Sequence, residues 1–117
     1  MQFTNVLAVL MVDDFDSSAA WYERFFGRGP DRRPMDSCAE WQLADGGAVQ
    51  VFGGPVAGGS TVVLGVDDVD ARAAELAARG IDPEVSTTAG GFRLATTTDP
   101  AGNTVMLGQS LGADLGS

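Results

Sequence analysis

The side chains able to do chemistry in this sequence are few, and histidine is not among them. Its absence removes the Ser-His-Asp triad, the Cys-His pair and every histidine-based metal site together. What remains is a lone cysteine, Cys38, a carboxylate beside a tryptophan in Glu40–Trp41, a single tyrosine, Tyr22, and two aspartate pairs, Asp13–Asp14 and Asp67–Asp68. Cys38 has no histidine to draw off its proton, so it reads as a small buried or half-buried residue rather than a nucleophile. Glu40, Tyr22 and Asp36 are the groups available for acid–base work, because burial can move a carboxyl's pKa toward neutrality; the spacing singles out none of them. Trp41 is the best candidate to stack on a planar ring or a cation, its other reading being core or dimer interface. The aspartate pairs precede helical patterns and suit helix N-termini. Arg32, Arg33 and Arg93 read as solvated or paired with acids.

Charge narrows the partners. Sixteen carboxylates face seven cations, all arginine, for a net charge of -9 over 117 residues. Such a surface repels nucleic acid and anionic lipid and draws in cations, besides keeping the chain soluble. No basic-then-apolar leader opens the chain, and no apolar run approaches the roughly 20 residues a membrane-spanning helix needs. With one cysteine there is no internal disulfide either. The expectation is a cytoplasmic protein with no nucleic-acid or membrane partner.

The elements that must position these residues follow from periodicity. "TNVLAVLMV" (4–12) is a continuous apolar, branched run and predicts a strand buried on both faces. Asp16 or Ser17 can cap the helix that follows, with Phe15, Ala19, Tyr22 and Phe26 on one stripe and Gly27 or Gly29 at its end before Pro30. Residues 31–37 are polar and predict a short strand or a loop. "CAEWQLAD" (38–45) and "AVQVFG" (48–53) predict an antiparallel pair around a tight turn. "GGPVAGGS" (53–60) has a linker's composition. The pattern then restarts: strand 61–66, a helix closing on Gly80 with Val69, Ala73, Leu76 and Ala77 on one face, strands in "PEVSTT" and "FRLATTT", a turn at "DPAGN" (99–103), a strand at 104–109, and a fraying tail at 110–117.

The restart is literal. "VDDFDSSAA" (12–20) and "VDDVDARAA" (66–74) share six of nine positions at an offset of 54. Two copies are too few for a solenoid, which needs at least three. They predict two halves, each burying one sheet face under its own helix and leaving the other to line a shared cavity.

With its "WYERFFG" helix, its "VDDVDA" helix ending in "ARG", and "DPAGNTVML", the chain resembles the vicinal oxygen chelate superfamily over roughly residues 3–109. That superfamily includes glyoxalase I, extradiol dioxygenases, fosfomycin resistance enzymes and bleomycin resistance proteins. The resemblance implies an α+β fold of two βαβββ modules, about 3–53 and 60–109, forming one cupped mixed sheet with helices outside, commonly in a homodimer. It also implies a divalent metal in the cup, held by histidine, glutamate or glutamine at positions that fall here on Leu7, Gln50, Thr61 and Met106. A leucine, an amide, a hydroxyl and a thioether do not make that ligand set, because a hard divalent ion needs several oxygen or nitrogen donors converging at ~2.0–2.6 Å. No metal, cofactor or catalytic residue is therefore expected.

If those positions face the cup, its floor is apolar with sparse neutral polar groups, as small-molecule pockets are. The expected ligand-binding residues are Leu7, Val9, Trp41, Gln50, Phe52, Thr61 and Met106. The resemblance is closest in character to the metal-free bleomycin resistance type. The function it implies is stoichiometric capture of a cationic aromatic antibiotic or similar natural product. The alternatives are a metal-independent enzyme using the same cup and a structural module whose cup is filled by its own side chains.

Overall fold

In the computed structural model, which describes residues 1–110, the repeat in the sequence becomes a repeat in topology. The first half runs β1 (Val6–Val12), α1 (Phe15–Phe26), β2 (Arg32–Met35), β3 (Cys38–Ala44) and β4 (Gly47–Gly53). The second runs β5 (Thr61–Gly65), α2 (Val69–Ala78), β6 (Glu84–Thr87), β7 (Phe92–Thr98) and β8 (Thr104–Ser110). Each half builds a four-stranded mixed sheet with the same order, β1-β4-β3-β2 and β5-β8-β7-β6. β1 pairs with β4 in parallel, and β5 with β8. Parallel neighbours need a crossover connection, which the helix supplies in each half. This is the α+β, twice-βαβββ fold expected. The chain divides into two compact units, one of residues 1–60 with 99–103 and the other of 61–98 with the strand from Thr104.

Both helices begin at the second aspartate of a pair. Asp14 caps α1 by accepting from the Ser17 N–H, and Asp68 caps α2 by accepting from the Ala71 N–H. Asp16 and Ser17, expected at the cap of α1, lie inside its first turn instead. A carboxylate three residues ahead of Ser17 reaches its free N–H, and Asp16 is left to face the positive helix end. α1 ends where Gly27 turns left-handed, at φ 76°, and donates back to the Glu23 carbonyl.

In the first unit α1 covers one face of its sheet. Ser18, Ala19, Trp21, Tyr22 and Phe25 are its buried side, while Phe15 and Phe26, expected on the core stripe, are half-buried at its margins. The sheet answers with Leu10, Val12, Ala39, Trp41, Val49 and Val51. The pairings Trp41 with Val49 and Ala39 with Val51 fix which side chains face the helix. Two sequence expectations fail here for one reason. β1 is not buried on both faces: Leu10 and Val12 are buried, but Leu7 and Val9 are 42% and 43% exposed. Trp41, expected to stack on a ligand or else to lie in the core, is not on the open face. It is fully buried, its ring 5.2 Å from Phe26 and 6.2 Å from Tyr22, and its indole N–H donates to the Arg28 carbonyl at 3.0 Å. Strand alternation sends Trp41 with Val49 to the helix side, so it belongs to the core and leaves the set of ligand contacts.

The segment 53–60 is not a slack linker. Gly53, Gly54 and Gly58 donate to the carbonyls of Ser37, Val12 and Met11. Gly58 has φ 79°, and a Cβ there would collide with the Ala101 carbonyl oxygen. That close approach brings in the turn 99–103. The Asp99 carboxylate accepts from the Tyr22 hydroxyl at 2.7 Å, from Asn103 Nδ2 at 2.9 Å, and from the backbone N–H groups of Ala101 and Asn103. Asn103 Nδ2 also donates to the Met11 carbonyl, and its Oδ1 accepts from the Ser60 N–H. Asp99 and Asn103 are both buried, so their polar groups must be paired, and they are.

The second unit repeats the plan with less aromatic mass. α2 buries Val69, Ala73 and Leu76 against Ala95, Val105 and Leu107. Ala77, expected on that face, is exposed, because the helix presents only a narrow stripe. The Val69 N–H, at the start of α2, donates to Gln109 Oε1. β8 continues to Ser110, which pairs with Phe92, so the fraying expected from residue 110 does not begin there; residues 111–117 lie outside the described residues.

Two predictions follow from this core. Burial, and then the hydrogen bond and charge of Asp99, push the Tyr22 hydroxyl well above its ordinary value of 10.0. A raised folded-state pKa contributes stability that is intact below the unfolded value and is lost as pH climbs past it. Tyr22 is the sole tyrosine, so ultraviolet absorbance of phenolate in an alkaline titration should appear only together with unfolding, above about pH 10; phenolate in a folded protein at lower pH refutes the placement. Trp41→Ala should cost ~3–5 kcal/mol in urea unfolding, and a loss below about 1 kcal/mol is incompatible with a core position.

Candidate functional site

The face of the first sheet opposite α1 carries the candidate site. The alternation that buries Leu10, Val49 and Trp41 turns Leu7, Val9, Ala48, Gln50, Phe52 and Glu40 the other way. Here the sheet floors a hollow of about 290 Å³ whose wall includes Asn5, Leu7, Arg32, Glu40, Gln42 and Gln50. Val6, Ala48 and Gly46 complete it. Small-molecule sites are ordinarily apolar clefts of ~300–1,000 Å³ with a few convergent polar groups; this hollow is at the small end of that range, and five of its nine lining residues are polar or charged.

The polar groups are organised around one carboxylate. Glu40 and Gln50 are register partners on β3 and β4, so their side chains stand side by side. Gln50 Nε2 donates to Glu40 Oε1 at 2.8 Å. The other oxygen, Oε2, lies 3.1 Å from Arg32 Nε on β2. The Glu40 side chain is 11% exposed and that of Arg32 62%. A nearly buried carboxylate is thus fixed by an amide beneath and an arginine reaching in from solvent. The floor expected from the sequence was apolar with neutral dipoles. The structure corrects this: the lining is mixed, with Val6, Leu7 and Ala48 among Asn5, Gln42 and Gln50, and it holds two charged side chains, Glu40 and Arg32.

Behind this pair the chain is pinned. The Asp31 N–H donates to the Glu40 carbonyl at 2.8 Å. The Asp31 carboxylate accepts from the Gln42 N–H and from Arg28, which hold it below the usual carboxylate range, the backbone bond foremost. Cys38, two residues before Glu40, is buried, and its thiol is pushed up first by that burial and then by the Glu40 charge, with Arg32 opposing. A thiol so placed is a packing group, not a nucleophile. Tyr22 is likewise spent, buried on the helix side as the donor to Asp99. Asp36 is exposed in the β2–β3 turn. Of the three acid–base candidates, only Glu40 faces the hollow.

The other positions expected to contact a ligand are distributed over both sheets. Leu7 and Gln50 meet at the hollow; Val9 and Phe52 lie farther along the same face, Val9 opposite Gln50 and Phe52 opposite Met11. Thr61 and Met106 stand on the second sheet, Thr61 exposed and Met106 half-buried, on the face that also carries Val63 and Thr104. Arg32 and Asn5 were not among the expected contacts. Arg32 could be found only through the β2–β3 register, in which it opposes Glu40. Arg33, beside it, points elsewhere, its guanidinium 5.3 Å from the Phe15 ring centre.

The residues do not fit the divalent metal that the resemblance implies. At its four positions stand a hydrocarbon, an amide already bonded to Glu40, a hydroxyl and a thioether. Among the described residues no group of three or more His, Cys, Asp and Glu converges in a way that could hold an ion. Glu40, one carboxylate with both oxygens engaged, does not replace such a set.

Comparison with known proteins agrees with this architecture. A solved glyoxalase/bleomycin resistance protein from Catenulispora acidiphila DSM 44928 is 32% identical, with a TM-score of 0.85 over 92% of this chain and 98% of that one. An antibiotic binding protein, TnmS3, from Streptomyces sp. CB03234 is 26% identical, with a TM-score of 0.76 over 94% and 98%. A bleomycin-binding protein solved with bleomycin is also 26% identical, with a TM-score of 0.73 over 91% and 98%. No curated protein sequence matches the chain. Residues 5–107 match the family described as Glyoxalase/Bleomycin resistance protein/Dioxygenase superfamily, and the chain belongs to that superfamily.

Proposed function

We propose that this protein binds a small organic molecule, a cationic aromatic antibiotic or similar natural product, and sequesters it without a metal and without turning it over. The observation that carries the proposal is the open face of the first sheet: a 290 Å³ hollow in which Val6, Leu7 and Ala48 stand among polar side chains and a nearly buried carboxylate, with Leu7 and Gln50 at two of the positions where the resemblance implies metal donors. Structural neighbours that bind bleomycin or an antibiotic support it, as does a net charge of -9, which enriches cations at the surface. The ligand contacts on this reading are Leu7, Gln50 and Glu40 in the hollow, with Val9 and Phe52 farther along the same face; Thr61 and Met106, the other expected contacts, stand on the second sheet. Action as a cytoplasmic homodimer is part of the same proposal; among the described residues no helix is long and apolar enough to cross a membrane.

One observation favours a second reading. Glu40 faces the hollow and is the type of group that a metal-independent enzyme would use as acid or base. The same experiment separates the two. Bleomycin titrated into chelator-treated protein by calorimetry should bind saturably near one site per chain, with a dissociation constant of ~1 μM or tighter, worth ~8 kcal/mol. The drug should be recovered with unchanged mass. Conversion of the drug would replace capture by catalysis, and an affinity abolished by the chelator would overturn the metal-free reading.

A further inference from the structure

We propose that Glu40 is the anchor for a planar nitrogen cation, an amidinium or guanidinium group, and that Arg32 is an internal stand-in that the ligand displaces. The inference deepens the capture reading and rests on it for the presence of a ligand. Glu40 and Arg32 are the two charged side chains in the wall of the hollow, and they differ in how they are held. Glu40 is 11% exposed and oriented by Gln50 at 2.8 Å. Arg32 is 62% exposed and comes from β2, four exposed residues whose pairing with β3 shifts register between Arg32 and Met35. The carboxylate is therefore fixed and the guanidinium is free to move.

Energetics favour exchange. An ion pair with one partner mostly in water contributes little net stability, so releasing Arg32 to solvent costs little. A ligand cation that takes its place keeps the charge pairing and also lays hydrocarbon against Val6, Leu7 and Ala48. The geometry sets the class of cation. Oε2 faces the Nε of a planar guanidinium at 3.1 Å, so a flat nitrogen cation fits in the place Arg32 occupies. An anionic ligand is disfavoured: it could use Arg32 only by sitting over a carboxylate that cannot withdraw. Arg32 then sets specificity as well, because a neutral ligand must compete with it for the hollow and gains no charge pairing in return.

The probe is benzamidinium, with benzamide as its neutral counterpart of the same shape, titrated into the full chain by calorimetry and by amide chemical shifts. Benzamidinium should bind at least about tenfold more tightly than benzamide and shift the amides of Leu7, Glu40 and Gln50. Glu40→Gln, which keeps the shape and the acceptor for Gln50, should lose at least about tenfold in benzamidinium affinity. Arg32→Gln should gain up to about fivefold, since it removes the competitor. Unchanged affinity in Glu40→Gln, or weaker binding in Arg32→Gln, overturns the proposal. Should Glu40→Gln not fold by circular dichroism, Arg32→Gln on its exposed strand decides alone. Bleomycin bound equally by the parent and both variants would leave capture standing and remove the Glu40 anchor. Glu40-dependent binding of benzamidinium with no binding of bleomycin would do the reverse. Binding of neither probe removes both.

Discussion

A helix of twelve residues can cover only one face of a four-stranded sheet. That constraint decides most of what this protein presents. Once α1 lies on the first sheet, alternation divides every strand into residues that meet the helix and residues that do not. Leu10, Val12, Val49, Val51 and Trp41 are spent on the core. Leu7, Val9, Gln50 and Glu40 are left for something else. The apolar residues on the open face are not errors of folding. They are the part of the sheet that its own helix cannot reach.

The fold was legible because its signals are local. Each helix announces itself with an aspartate pair, and the second member caps it in both halves. The offset of 54 made the two halves visible without any knowledge of contacts. What could not be read was which face of β3 belonged with which face of β4. Glu40 and Trp41 are adjacent, so one must go in and one out, but only the pairing of Trp41 with Val49 says which. A large aromatic invites the guess that it binds a ligand. Here the same aromatic area is worth more against Phe26 and Tyr22, in a core too small to spare it.

The glycine-rich stretch 53–60 failed as a linker for a related reason. Its composition says flexible, but composition cannot show a carbonyl oxygen waiting where a Cβ would be. Gly58 is small because Ala101 approaches, not because the chain must swing. The contacts that follow, Tyr22 to Asp99 across 77 positions and Asn103 to Met11 across 92, are non-local pairings that no window of sequence contains. "DPAGN" is recognisable as a turn from its residue types. That its aspartate ties a buried tyrosine, and its asparagine the end of β1, is information held only in three dimensions. The turn is doing two jobs with one set of side chains, closing a hairpin and satisfying the polar groups of another element.

The apolar part of the hollow alone would have little power to discriminate, because apolar contact is non-directional. A carboxylate changes that. Buried without a partner it would be too costly to keep, and buried with a tight internal partner it would be inert toward any ligand. Glu40 sits between these limits. Gln50 donates to one oxygen from a central strand, and Arg32 offsets the charge at the other from an irregular edge strand, its own side chain mostly in water. The charge is thus tolerated in the free protein and still available for exchange. The number of donors that hold it follows from the strand order: β3 lies between β4 and β2, so a side chain on its open face has one neighbour from a firm strand and one from a yielding strand. The asymmetry that makes the site usable is therefore a property of the βαβββ module itself, whose last-paired strand is its shortest.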